Sequence, residues 1–153
     1  MKSVWWKCSL GHSWKAKINE RTIIGEKCTV CEKEYRSVFP GLAVAYYANQ
    51  KGLKVQLGSD KLLGIPLETY IPSEKLAIEW TSGTEQMEIL KVHLCRQRQI
   101  KLIKLPYEKQ EDKKEYADKV KAVLRRQHIF ISTNTEQDIA VIQKRFMEWR
   151  KNR

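Results

Sequence analysis

The chain of 153 residues has no uninterrupted run of roughly 18 apolar residues, so no transmembrane helix is expected. Its first residues, Met1-Lys2-Ser3 followed by tryptophans and a lysine, lack the apolar core of a secretory signal. A cytoplasmic location is therefore the expectation. No internal repeat and no low-complexity linker is present. Acid is in short supply: 18 acidic residues face 29 basic ones, for a net charge of +11. An excess of that size favours a polyanionic partner. Cysteine is sparse too, with four in all. Four could form two disulfides, but a reducing compartment favours metal over disulfide. The length allows one ordinary domain, or a small metal module joined to a compact core.

Three of the four cysteines fall in one pattern. Cys8-x3-His12 is followed by Cys28-x2-Cys31, with Trp5, Trp6 and Trp14 around the first pair. One thiolate–imidazole pair and one pair of thiolates at this spacing suit one tetrahedral Zn²⁺ in a structural site. Such a site is closed and leaves no position for substrate, so the zinc is a staple. A segment this short buries too little apolar surface to fold alone, and the metal supplies the missing stability. Gly11 allows a tight turn beside His12. Val4–Lys7 and Ser13–Ile18 have strand-like composition and flank the knuckle as a hairpin does. Trp5 and Trp6 either pack on this hairpin or stack on bases. Packing is expected, because a tiny module needs apolar mass. The module spans residues 1–36, and residues 37–153 form the second domain.

The second domain is read as α/β (α+β). Phe39-Pro40 opens a helix carrying Leu42, Ala43, Tyr46 and Tyr47 on one face, and Gly52 ends it. Residues 53–57 alternate as a strand, Gly58-Ser59-Asp60 turns, and Leu67–Ile71 and Leu76–Trp80 are two more strands. Ser82 and Glu85 fit a capping box for a helix with Met87, Leu90 and Leu94 on one face. Ile100–Leu105 is a strand. The order from 39 to 105 is α-β-β-β-α-β. A charged helix with Tyr116, Val120, Val123 and Leu124 at helical spacing follows, then a short strand at Ile129-Phe130-Ile131. A last helix, capped by Asn134 or Thr135, carries Ile139, Ile142, Phe146 and Trp149.

Basic residues cluster from Lys91 to Lys104: Lys91, Arg96, Arg98, Lys101 and Lys104, with no acid between them. These are the candidate nucleic-acid contacts, and DNA is the expected partner. Residues 108–121 mix both signs, as a solvated helix face does. Cys95 is expected as a small buried hydrophobe, His93 and His128 as surface or satisfied side chains, and Trp149 as core.

The string Val4-Trp5-Trp6-Lys7-Cys8, Gly11-His12, Trp14, Arg21 and Cys28-x2-Cys31 resembles the zinc-ribbon (treble-clef) domains of bacterial and phage proteins. That resemblance implies Cys8, His12, Cys28 and Cys31 as the ligands. The rest of the chain resembles the restriction-endonuclease-like superfamily, in its branch similar to very-short-patch repair endonucleases. Phe39-Pro40, Leu67–Ser73, Leu76–Trp80 and Ile100–Leu105 carry this likeness.

The second resemblance implies clustered carboxylates on Mg²⁺, which would polarise a phosphate and help deprotonate water. Glu79 occupies the strand carboxylate, and Glu68 a place usually held by Asp. Thr81 stands where an acid or lysine is usual, and Gly41 where relatives often have a helix acid. Lys91 is the stand-in for the missing lysine. Glu68, Glu79 and Lys91 are thus the candidate catalytic residues, with Mg²⁺ a second metal the likeness allows. The plain alternative is that Glu68 and Glu79 are ordinary strand residues facing water.

The reading is a DNA-binding protein of phage or mobile-element type, with a zinc module and a catalytically degenerate endonuclease-like core. One alternative is an active Mg²⁺-dependent endonuclease; another is a protein-interaction factor. No membrane partner and no small-molecule substrate is evident. Convergence of Glu68, Glu79 and Lys91 would favour catalysis, and divergence would remove it.

Overall fold

A computed structural model describes residues 2–8, 11–18, 28–107 and 112–152. The chain forms two compact units, Met1–Ser37 and Val38–Arg153. Among the described residues no helix is long and apolar enough to cross a membrane. The architecture is mixed, with four α-helices and two sheets among the described residues.

In the first unit, β1 (Ser3–Lys7) pairs antiparallel with β2 (Ser13–Lys17). The register sets Trp6 opposite Trp14 and Trp5 opposite Lys15. Trp6 is half-buried, and its indole N–H donates to the Ala16 carbonyl at 3.2 Å. Trp5 departs from the packing expected of it: its side is the solvent side of the hairpin, and it is 70% exposed.

Helix α1 spans Thr29–Gln50 and so begins ten residues before the Phe39-Pro40 start expected from sequence. Pro40 lies inside it. A proline there leaves the Arg36 carbonyl without its helical donor, at a cost of about 3 kcal/mol. Phe39, Ala43, Val44 and Tyr47 are fully buried in the second unit. Burying a large apolar side chain contributes about 1.5–3 kcal/mol, so packing outweighs the proline.

The second sheet runs in the order β3 (Gln56–Ser59), β4 (Leu67–Ile71), β5 (Leu76–Glu79), β6 (Lys101–Lys104). The first two pairings are antiparallel, and β5 with β6 is parallel. Strand β3 begins three residues later than the alternation at 53–57 and takes in Gly58 and Ser59 of the expected turn. It lies at a sheet edge with Leu57 exposed, so its apolar pattern has little core to report. The central strands β4 and β5 are buried almost throughout.

Helix α2 (Glu85–Gln97) is capped by Thr84, whose hydroxyl accepts from the Met87 N–H. Ser82 is not the cap. The expected apolar face is also outward: Met87 and Leu90 are exposed, while Cys95 is buried. The inner face instead carries Lys91 and Cys95, four residues apart. Register places Tyr70, Ala77 and Leu102 on one face of the sheet, with Glu68, Glu79 and Lys104 continuing that face. Cys95 joins Leu67, Tyr70, Ala77 and Ile100 in an apolar cluster. Two strand residues and four helical ones cover nearly the same length, roughly 6 Å, so Lys91 comes level with Glu79.

Helices α3 (Lys113–Arg126) and α4 (Thr135–Lys151) complete the unit. Asp112 and Asn134 cap them through side-chain oxygens. Tyr116, Val120, Val123, Leu124, Ile142 and Phe146 are buried as their spacing requires. Trp149 is half-buried and stacks on Phe146. Ile129-Phe130-Ile131 forms no strand; no neighbouring strand offers it a ladder. Buried Asp138 accepts from Tyr46 (3.1 Å), Tyr47 (3.0 Å) and Thr133. Burial first, and Asp138 second, hold both tyrosine hydroxyls above their ordinary pKa.

Candidate functional site

The metal site is built at two places. The Cys8 N–H donates to the His12 carbonyl (2.9 Å) and the Gly11 N–H to the Cys8 carbonyl (3.0 Å). Gly11 has φ +92°, a conformation only glycine adopts without strain. This knuckle sits between β1 and β2 and turns Cys8 and His12 the same way. Cys28 immediately precedes α1, and Cys31 lies in its first turn.

The donor atoms of Cys8, His12, Cys28 and Cys31 all lie within 4.8 Å of one another. Cys8 Sγ is 3.7 Å from Cys31 Sγ, and His12 Nδ1 is 3.4 Å from each sulfur. A tetrahedral Zn²⁺ with its usual bond lengths gives edges of about 3.8 Å between sulfurs and about 3.5 Å between sulfur and nitrogen. The donor set therefore fits zinc in both chemistry and size. None of the four cysteines is in a disulfide. No other group of three or more His, Cys, Asp or Glu among the described residues gathers its donor atoms in this way. Arg21 of the zinc-module string lies outside the described residues.

The second constellation joins Glu68, Glu79 and Lys91, which converge. Glu79 is fully buried. Its Oε2 accepts from Lys91 Nζ at 2.9 Å and from the Glu68 N–H at 3.2 Å, and its Oε1 accepts from Lys104 Nζ at 3.0 Å. Glu68 is half-buried, and its Oε1 accepts the backbone N–H groups of Trp80 (3.1 Å) and Thr81 (3.0 Å). Neither glutamate is a strand residue that merely faces water.

Glu88 belongs to the same cluster. One of its oxygens accepts from Gly83 N–H at 3.1 Å, and the other pairs with Lys104. The Lys104 hydrogen bond, then that of Gly83, holds the Glu88 carboxyl below its ordinary pKa. Burial pulls the Lys104 ammonium down, but Glu88 and Glu79 outweigh it and hold it up. Sequence reasoning missed Glu88. The signal was present, since Glu88 and Lys91 are three apart and share a helix face.

Gly41 faces the Trp80 ring. A Cβ at position 41 would sit 3.0 Å from Trp80 Cη2 and 3.5 Å from Leu57 Cδ2. The indole occupies the space that an acid at position 41 would enter.

The basic cluster divides. Lys91 and Lys104 are paired with carboxylates, and Lys101 donates to the Gln127 side chain at 2.8 Å. Arg96 and Arg98 are exposed, with no ion pair among the described residues. His93 and His128 are exposed as well.

Residues 1–34 match a family model described as a probable treble clef zinc finger domain. No curated protein matches the chain, and no solved structure matches it. The family match and the four-donor cluster together support Zn²⁺ as the ion of the N-terminal module.

Proposed function

We propose that this is a zinc-stapled DNA-binding protein whose second domain is a restriction-endonuclease-like core without catalysis. The observation that carries the reading is the state of Glu79: buried, with both oxygens engaged by lysine ammonium groups. The resemblance assigns that carboxylate to Mg²⁺. Here two cations already stand within 3.0 Å of it, and Glu68 gives one oxygen to two backbone N–H groups. Mg²⁺ demands near-octahedral oxygen geometry and keeps several waters, which this packed cluster does not suit. Trp80 fills the place of the helix acid. The element order α-β-β-β-α-β supports the likeness of the core.

DNA as partner is supported by the net charge of +11 and by the hairpin of the zinc module. Trp5 lies opposite Lys15 and on the same face as Lys7, an aromatic surface flanked by cations. Arg96 and Arg98 are the free cations of the Lys91–Lys104 cluster. Cations that contact phosphate release counterions, so affinity falls steeply with salt.

One observation favours an active Mg²⁺-dependent endonuclease. Glu68, Glu79 and Lys91 converge, as catalysis requires. Three carboxylates against two ammonium groups also leave the cluster one net negative charge, which attracts a cation.

The deciding experiment titrates full-length protein with duplex DNA at several salt concentrations and incubates it with supercoiled plasmid and Mg²⁺. Salt-sensitive binding, weakened about equally on all sequences by R96E/R98E, with no nicking, is expected. Mg²⁺-dependent nicking lost in both E79A and E68Q would establish the enzyme instead. Duplex affinity that is absent or indifferent to salt would favour a protein-interaction factor.

A further inference from the structure

A second charged surface lies away from the glutamate-lysine cluster. A groove of about 690 Å³ is lined by Lys51, Asp118, Lys121, Arg125, Arg126 and Phe130, among others. That volume is within the usual range for ligand sites, roughly 300–1,000 Å³. Its charged groups differ in their engagement. Lys121 donates to the Thr133 carbonyl (2.7 Å) and the Thr135 hydroxyl (2.8 Å) and pairs with buried Asp138 (3.4 Å). Asp118 accepts from the Thr135 hydroxyl at 2.7 Å. These two are parts of the wall. Lys51, Arg125 and Arg126 are exposed and make no ion pair among the described residues.

Phe130 is 55% exposed at the edge of this groove and of a smaller adjoining one. The chain alternates there: Ile129 is buried, Phe130 points out, and His128 before them adopts φ +64°. An outward phenylalanine forgoes burial worth about 1.5–3 kcal/mol. Arg125 and Arg126 are in the last turn of α3, whose C-terminus carries about half a negative charge. Their two unit charges exceed it, so the local field still attracts anions.

We infer that the groove between Lys51, Arg125-Arg126 and Phe130 binds single-stranded nucleic acid, with phosphates on the cations and an unstacked base on the Phe130 ring. The base preference follows from the aromatic. Duplex DNA presents phosphates to an outer surface but keeps its bases stacked, whereas a single strand offers a π-face to any exposed ring. The site is independent of the reading above, because it uses neither the glutamates nor Arg96 and Arg98. Register sets Lys101 at the start of β6 and Lys104 level with Glu79 at its end, roughly 10 Å apart. Lys101 reaches Gln127, which adjoins Arg126, so the groove lies towards the strand ends remote from Glu79.

The test uses full-length protein with a fluorescent dT12 oligonucleotide, a matched duplex and polyglutamate. F130A should weaken dT12 binding about tenfold, with F130W restoring it, given the stacking contribution of a single base. R125Q/R126Q should reduce the salt slope for dT12 by about 1.4, two single-strand phosphates at about 0.7 each. Duplex affinity should change less than twofold in F130A. Phe130 is exposed, so the thermal midpoint of F130A should match the wild type and separate lost binding from lost fold. Unchanged dT12 affinity in F130A would overturn the inference. So would polyglutamate binding that needs the arginines and ignores Phe130, which would assign the groove to an acidic protein. Failure of duplex binding with retained, Phe130-dependent dT12 binding would leave this site standing and remove the duplex reading alone.

Discussion

Glu68 and Glu79 face each other across β4 and β5, and each is held by the other's strand. The Glu68 N–H donates to Glu79 Oε2, while Glu68 Oε1 accepts from Trp80 and Thr81, the two residues after Glu79. The pair therefore closes the open end of two strands. Lys91 and Lys104 then compensate the buried charge of Glu79.

Removing that charge should cost stability. E79Q leaves Lys91 and Lys104 facing a neutral amide in a buried place, and breaking such a pair costs about 3 kcal/mol. Urea denaturation should show the loss. K91M/E79L, which removes Glu79 and the more buried of its two lysines while Lys104 keeps Glu88, should recover part of it. A loss in E79Q below about 0.5 kcal/mol, the size of a surface substitution, would show that the pair is not desolvated as its burial implies.

Position 41 should resist an acid. G41D must displace the Trp80 ring, since even a Cβ would sit at 3.0 Å. Overpacking of this kind costs about 1–3 kcal/mol. Trp80→Ala should relieve the clash, so G41D/W80A should be less destabilised than the sum of its single variants. Strict additivity of the two would contradict the contact.

The zinc module should depend on its metal. Native protein should carry one zinc per chain, and C28S should hold less than about 0.5, because a four-ligand site has no spare donor. Metal affinity in such a module is folding energy, so C28S should also make the first unit sensitive to protease. Equal zinc content in C28S and wild type would refute the ligand assignment.

Stability should fall in acid partly through Glu88. Its folded pKa lies below the ordinary value of 4.5, so its contribution is fully present above that value. It is lost as the pH falls from there through the folded pKa. E88Q should flatten this part of the pH–stability curve and leave the curve near neutrality with the same slope. An unchanged acid limb in E88Q would show that Glu88 does not carry it.

Local chemistry was legible from the chain. The Cys-His-Cys-Cys spacing needs no tertiary knowledge, because ligand count and knuckle geometry are local, and Gly11 marks the tight turn beside His12 that its φ of +92° bears out. The helices carrying Tyr116–Leu124 and Ile142–Phe146 follow from periodicity, since each buries one face, and Leu67–Ile71 from its β-favouring composition, since it is buried on both. The same rule misled at α2. Its apolar residues Met87 and Leu90 face outward, because the inner face must supply Lys91 to a buried carboxylate. It also misled at Ile129–Ile131, where three β-favouring residues lack a neighbouring strand.

What the sequence by itself determined is therefore the four donors that gather in the N-terminal module, the excess of positive charge and the element order from 39 to 105. Only the tertiary structure decided which charges remain available. Lys91 and Lys104 look like two cations of one basic run, yet pairing across strands and helix commits both to Glu79. Lys51, Arg125, Arg126 and Phe130 are distant in sequence or unremarkable in it, yet the fold sets them around one groove. The reason is physical: charge is counted along the chain, but its field depends on partners and burial that only three-dimensional contacts supply.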